Sequence, residues 1–242
     1  MAEAFDAARM AENVREIREK MAEAARLAGR RPEEILLCAV CKTRSSETVR
    51  QSAALPVDLF GENHMQELVL HGDDGAYLGK PAHFIGHLQT NKVKKVVGRA
   101  AVIQSVDSVR LLEAIDREAE KQGLRQEILF ELNIGGELSK TGAATDELWP
   151  LLEACAGRKH VEARGLMAIP PAFDNGDDSR RYFAMLRELM EQAKARHYEN
   201  ARLDVLSMGM TDSYLAAIAE GATIVRVGTA IYGERYYPPK EA

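Results

Sequence analysis

Lys42 ends a run that is otherwise apolar: in ILLCAVCKTR, residues 35–44, it follows Cys41 and precedes Thr43. In an extended chain, side chains alternate between faces. Leu36, Cys38, Val40 and Lys42 therefore share one side, and Leu37, Ala39 and Cys41 the other. If the first set faces the inside of a sheet, Lys42 stands above three apolar layers. An amine held there keeps part of its uncharged form, the form that attacks an aldehyde. A lysine reaching solvent just past a strand fits the same letters. A second run, TIVRVGTAIYG, puts Arg226 and Gly228 on one face and Val225 and Val227 on the other. A guanidinium inside a valine strand costs on the order of several kcal/mol unless something pairs with it. Gly228 lets a ligand approach the backbone, and Thr229 adds an amide and a hydroxyl. A third run, LSMGMTDSY, offers the Ser207 hydroxyl and the Gly209 amide, with Thr211 or Asp212 to cap the helix that follows. Converging amides, hydroxyls and a helix start suit a phosphate dianion.

Other residues with chemical potential carry less. Cys38 and Cys41 form a C-x-x-C, but three positions apart in a strand they point to opposite faces, and no second ligand pair follows. With Cys155 they are read as buried thiols, and no metal set is expected. His83 and His87 share a strand face and are read as polar residues of a core or a site rim. QTNKVKKVVGR is basic but lacks interleaved aromatics, so it reads as a solvated helix face. FDNGDDS resembles a calcium loop only in part: twelfth from Asp174 is Met185, not glutamate, which leaves a turn and a helix cap.

The elements that must position these residues follow from periodicity. Met10, Val14, Ile17, Met21 and Ala24 make one apolar stripe, which predicts a helix over 5–28, closed by Gly29 and Pro32. Short apolar runs then recur at 35–40, 57–62, 83–87, 102–107, 127–133, 162–169, 203–210 and 223–230. Each of the first seven is followed by a helix-like stretch, most clearly SVRLLEAIDREAEKQG and DSRRYFAMLRELMEQAKARH. Alternation of this kind makes a parallel sheet. Eight strands in this length predict a closed (β/α)8 TIM barrel, with an open doubly wound sheet as the alternative. One domain over 1–242 is expected, with residues 1–30 as an N-terminal helix packed on the barrel. Barrel sites lie at the carboxyl ends of the strands, where Lys42, Ser207 and Gly228 fall.

An aldehyde-reactive lysine and a phosphate cradle in one barrel mouth point to pyridoxal 5′-phosphate (PLP), or to an aldolase acting on a phosphorylated sugar. The motifs AVCKT, FGEN, HFIGHLQTNK, SVDS, RGLMAI, LSMGMTDSY and IVRVGTAIYG, in that order, resemble those of the pyridoxal-phosphate homeostasis (YggS/PROSC) family. The resemblance runs from about Ile35 to Tyr232. It implies a fold similar to the barrel half of fold-type III PLP enzymes such as alanine racemase. By that resemblance Lys42 is the lysine that takes PLP as a Schiff base, and Asn63 lies beside the cofactor ring. Met167 is implied as an apolar wall. Ser207, Gly209, Gly228 and Thr229 are implied as phosphate contacts, and Arg226 faces the pyridine nitrogen. Two positions depart from the family pattern: Cys41 stands where serine is usual, and Arg44 where lysine is frequent. Lys140 in GELSKTG resembles a family lysine that could escort the cofactor, and a plain loop lysine fits equally.

The resemblance implies a carrier that manages PLP supply, with PLP-dependent apoenzymes as partners; a one-domain racemase is the competing reading. Two features favour the carrier. The chain ends ten residues after Tyr232, which leaves no room for the second domain that such racemases use. Arg226 at the ring nitrogen disfavours its protonation and weakens the ring as an electron sink. An aldolase would leave Arg226 without a role. The net charge of −5 argues against a nucleic-acid partner, and no apolar run approaches the roughly 20 residues of a membrane span. MAEAFDAARMAENV has no apolar leader core. A cytoplasmic monomer is expected.

Overall fold

Parallel strands are covered on both faces, so they read as near-continuous apolar runs rather than alternating ones. The computed structural model describes residues 7–137, 141–171 and 176–233, and in it each of the eight runs becomes a strand. After helix α1 (Ala7–Leu27), the chain alternates β1 (Leu36–Val40), α2 (Ser46–Ala53), β2 (Leu59–Glu62), α3 (Met65–Asp73) and β3 (Ala82–Phe84). There follow β4 (Val102–Val106), α4 (Val109–Gln122), β5 (Gln126–Leu132), α5 (Leu148–Ala156) and β6 (Val161–Ala168). The barrel is completed by α6 (Arg180–Ala195), β7 (Ala201–Ser207), α7 (Tyr214–Ala219), β8 (Ile224–Val227) and α8 (Thr229–Tyr232). The strands pair in chain order and close, β1 lying parallel to both β2 and β8. The register Cys38↔Arg226 brings the first and last strands side by side. The open doubly wound alternative is thereby excluded.

Strand parity divides the apolar residues into two cores. Cys38, Leu59 and Ile224 meet inside the barrel, as do Val102, Leu129 and Met167. Leu37, Ala39, Cys41, Val225 and Val227 face outward into the layer beneath the helices. α1 buries Met10, Val14, Ile17, Met21 and Ala25 and packs against α7 and α8. Local capping agrees with the sequence. Ser45 accepts a hydrogen bond from the Thr48 amide and Ser108 one from Leu111, while Gly123, at φ 67°, closes α4 in the left-handed region.

Three expectations are corrected. After β3 the basic stretch forms a 3-10 helix, Thr90–Lys95, rather than an α-helix. Only Val93, Val96 and Val97 have core to cover there, too few to sustain several α turns, and the lysines are exposed as expected. FDNGDDS lies partly outside the described residues. Its remainder, Gly176–Ser179, is a 3-10 turn into α6, and Ser179 makes no side-chain cap bond. α7 starts at Tyr214, after Thr211 and Asp212, so neither caps it. Thr211 Oγ1 instead accepts from the Ala230 amide at 3.4 Å, and Ser213 Oγ from the Met210 amide at 3.2 Å.

Candidate functional site

A cavity of about 250 Å³ opens where β1, β2 and β8 end, lined by Val40, Lys42, Asn63, Ile85, Arg226 and Gly228 among others. Strand parity places these groups. Cys38 and Val40 point inward along β1, and Lys42 follows two residues past Val40 at the rim. Asn63 follows the last residue of β2, and its amide oxygen is buried with no hydrogen-bond partner among the described residues. Thr229, Ile169, Thr211, Asp212 and Tyr232 complete much of the wall. Arg44 lines the cavity too; its guanidinium lies 5.5 Å above the Tyr232 ring and donates to the Gly233 carbonyl at 2.9 Å.

Arg226 is the dominant charge. It is 3% exposed, and it donates to Ser207 Oγ at 2.6 Å and to the Ala168 carbonyl at 3.0 Å. Among the described residues, no carboxylate comes within ion-pair distance of it. Its guanidinium is held by neutral acceptors, and burial pushes its pKa down while Cys38 and Glu131 act in the opposite sense. The support continues across the lumen. Ser207 donates to Gln104 Oε1 at 2.6 Å, and Gln104 Nε2 lies 2.7 Å from His83 Nδ1. Burial lowers the pKa of His83 to about 4, with Arg164 adding to the effect. Its ring is therefore neutral, Nδ1 accepts from the glutamine, and the chain of bonds has one consistent direction. His83 is thus a lumen residue, whereas His87 is half-exposed, 3.7 Å from Asp107.

Lys42, Asn63, Arg226, Gly228 and Thr229 are brought together as the sequence suggested. Ser207, Gly209 and Met167 do not line the cavity. The Ser207 hydroxyl is fully buried and committed to Arg226 and Gln104, so the expectation that it contacts phosphate is corrected for that hydroxyl. Gly209, at φ 89°, has a packing reason for its type: a Cβ there would lie 2.5 Å from that of Ala217. Gly228 likewise lets the chain pass Val40, whose carbonyl oxygen would be 3.2 Å from an added Cβ. Met167 fills the lumen below the mouth. Lys140 lies outside the described residues.

The C-x-x-C straddles the barrel wall. Cys38 faces the lumen, where burial raises its thiol to about 12, and Cys41 faces the helix layer; both are free thiols. Sequence reasoning missed Gln104 and Glu62. Gln104 carried a signal, a long polar side chain inside the apolar run VIQSV. Glu62 stood in FGEN beside Asn63, but parity turns it outward. There it is fully buried, with Cys41, His71 and Tyr77 on one of its oxygens.

Comparison with known proteins agrees with this architecture. The profile of the "Alanine racemase, N-terminal domain" family matches residues 5–236. A protein of Aquifex aeolicus named pyridoxal phosphate homeostasis protein is 39% identical over 226 residues, 93% of this chain and 98% of that one. The structure of PipY from Synechococcus elongatus with PLP bound superposes with a TM-score of 0.77 at 32% identity, over 88% of this chain and all of that one. Alanine racemase from Corynebacterium glutamicum shares the fold, with a TM-score of 0.69 at 17% identity. That likeness covers 98% of this chain and 63% of the racemase. Among the described residues no helix is long and apolar enough to cross a membrane. By sequence and by fold, the chain belongs to the family of pyridoxal phosphate homeostasis proteins, built on the alanine racemase N-terminal barrel.

Proposed function

We propose that this protein binds PLP in the cavity at the barrel mouth, with Lys42 as the covalent attachment point, and manages the supply of the cofactor without turning over a substrate. One observation carries the reading: an amine and, among the described residues, a buried amide oxygen with no partner and a buried cation held by neutral groups line one cavity. An aromatic aldehyde bearing a polar ring and a phosphate answers all three. When bound, PLP supplies an aldehyde for capture by an amine and a ring that withdraws electrons.

In this reading the residues divide the work. Lys42 provides the amine at the rim. Asn63 orients the ring substituents, and Val40, Ile85 and Ile169 give it apolar walls. Gly228 and Thr229 receive the phosphate. Ser207 and Gln104 position Arg226, Gly209 lets α7 approach, and Met167 floors the site. Arg226 has donors and no acceptor, so any ring nitrogen it meets must accept. That arrangement holds the nitrogen as an acceptor and weakens the ring as an electron sink, which suits a carrier. The partners are then PLP and the PLP-dependent apoenzymes that receive it, with a cytoplasmic monomer as the working form.

The test is equilibrium binding of PLP and of pyridoxal to the purified protein. Charge-assisted hydrogen bonds are each worth about 1.5–3 kcal/mol, so PLP should bind at least about tenfold more tightly. Equal affinities would remove the phosphate from the reading.

A further inference from the structure

Outside the barrel wall, behind the cavity, a second polar cluster is buried between β1, β2 and α3. Cys41, Glu62 and His71 are all fully buried. Glu62 Oε1 lies 2.6 Å from His71 Nδ1, 2.9 Å from Cys41 Sγ and 2.9 Å from the Tyr77 hydroxyl. Glu62 Oε2, equally buried, has no hydrogen-bond partner among the described residues. Native interiors rarely strand a carboxylate oxygen in this way.

The histidine adds a second constraint. Its Nε2 lies 3.1 Å from the Arg44 carbonyl oxygen, which can only accept, so Nε2 carries the hydrogen. A neutral ring in that tautomer presents a bare lone pair at Nδ1, and Nδ1 faces a carboxylate oxygen at 2.6 Å. Two acceptors that close need a cation between them, either a proton or a metal ion. Backbone carbonyls commonly orient metal-binding histidines through the far ring nitrogen in just this manner. A thiol, an imidazole and a carboxylate are a donor set suited to zinc, and the three candidate ligand atoms lie within 4.8 Å of one another.

We infer that Cys41, Glu62 and His71 form a binding site for a divalent transition cation of the zinc class. Glu62 Oε2 closes the coordination shell. The charges balance, since thiolate and carboxylate together neutralise a dication in a site with no access to water. On binding, the Cys41 thiol proton and the proton between His71 and Glu62 leave to solvent, and no oxidation occurs. Zinc bonds of about 2.0–2.3 Å hold their donors roughly 3.3–3.6 Å apart, so the present contacts of 2.6 and 2.9 Å need to open by about 0.4–1 Å. The site joins the end of β1, the end of β2 and α3. It also braces the rim of the cavity, because Lys42 and Thr43 lie between the ligand Cys41 and Arg44, whose carbonyl orients His71. Thr43 sits at φ 64°, a left-handed conformation that a threonine holds only when its neighbours are fixed.

The test uses the full-length protein, stripped with a chelator, incubated with Zn2+ or Co2+ and passed through gel filtration. We expect one zinc per chain by elemental mass spectrometry, and a raised melting temperature in its presence. The cobalt form should show a thiolate-to-metal charge-transfer band together with the visible bands of tetrahedral coordination. Cys41→Ser, near-isosteric and able to keep a hydrogen bond to Glu62, should lose the charge-transfer band. It should also weaken binding by more than about tenfold, as should His71→Gln. Circular dichroism checks the fold of both variants, and the wild-type cobalt spectrum needs neither of them. Absence of retained metal, a cobalt spectrum without the thiolate band, or equal binding by wild type and both variants (an adventitious ion only) would each overturn the inference.

Discussion

Replacing Ser207 with alanine tests whether the hydrogen-bonded chain across the lumen holds Arg226 in place. The hydroxyl accepts from the guanidinium and donates to Gln104, each at 2.6 Å, and none of it meets solvent. Its removal deletes a bond to a charged group, worth about 1.5–3 kcal/mol, and strands the Gln104 oxygen, a further penalty of about 1–3 kcal/mol. The two overlap, so a loss of about 2–5 kcal/mol in unfolding free energy is expected. The fold supplies its own control. Ser105 is equally buried, but its hydroxyl has no partner among the described residues. Ser105→Ala removes the same atom and leaves a similar void, so it should fall within about 1 kcal/mol of wild type, on either side. Urea unfolding of the ligand-free protein, extrapolated linearly, gives both values, and subtracting one from the other cancels most of the packing contribution. If Ser207→Ala costs no more than Ser105→Ala, the lumen chain does not support Arg226 and the electrostatic account of the site is wrong.

Two further outcomes follow. His83, ordinarily near 6.5 and lowered to about 4 by burial, takes up its proton in the unfolded chain first, so stability falls as pH drops through that window. The loss should total about 3 kcal/mol, and His83→Gln should flatten the stability profile between those pH values. In deuterated water with PLP and each common amino acid, the protein should give no α-proton exchange above the free-cofactor rate. Exchange at catalytic rates that disappears in Lys42→Ala would instead make it a racemase.

Much of this site was legible from period and parity. The alternation along ILLCAVCKTR put Lys42 at an inner rim, and the same rule set Arg226 and Gly228 on one face of β8. Closure of the barrel then made neighbours of β1 and β8, which alternation of strands and helices had already implied. Lateral partners were less legible. That Ser207 would spend its hydroxyl on Gln104 depends on the stagger between strands three positions apart around the barrel, and no local pattern encodes that stagger. Cys41 shows the same limit. A search along the chain for a second ligand pair finds none, because Glu62 and His71 arrive from β2 and α3. The glycines were misleading in a different way: Gly209 and Gly228 do sit at the strand ends, yet each is also required by the neighbouring backbone or helix. At these positions the residue type alone could not separate a ligand's need from a packing need.

The central claim, that Lys42 is the amine that holds PLP, is tested most directly by borohydride reduction of the PLP-loaded protein followed by peptide mass mapping. A single pyridoxyl-modified peptide carrying Lys42 is expected. No modification is expected in a folded Lys42→Ala variant, with the visible absorbance of the PLP-loaded protein lost in parallel. A modified peptide that places the cofactor on another lysine, or a Lys42→Ala variant that still fixes it at full yield, would contradict the account.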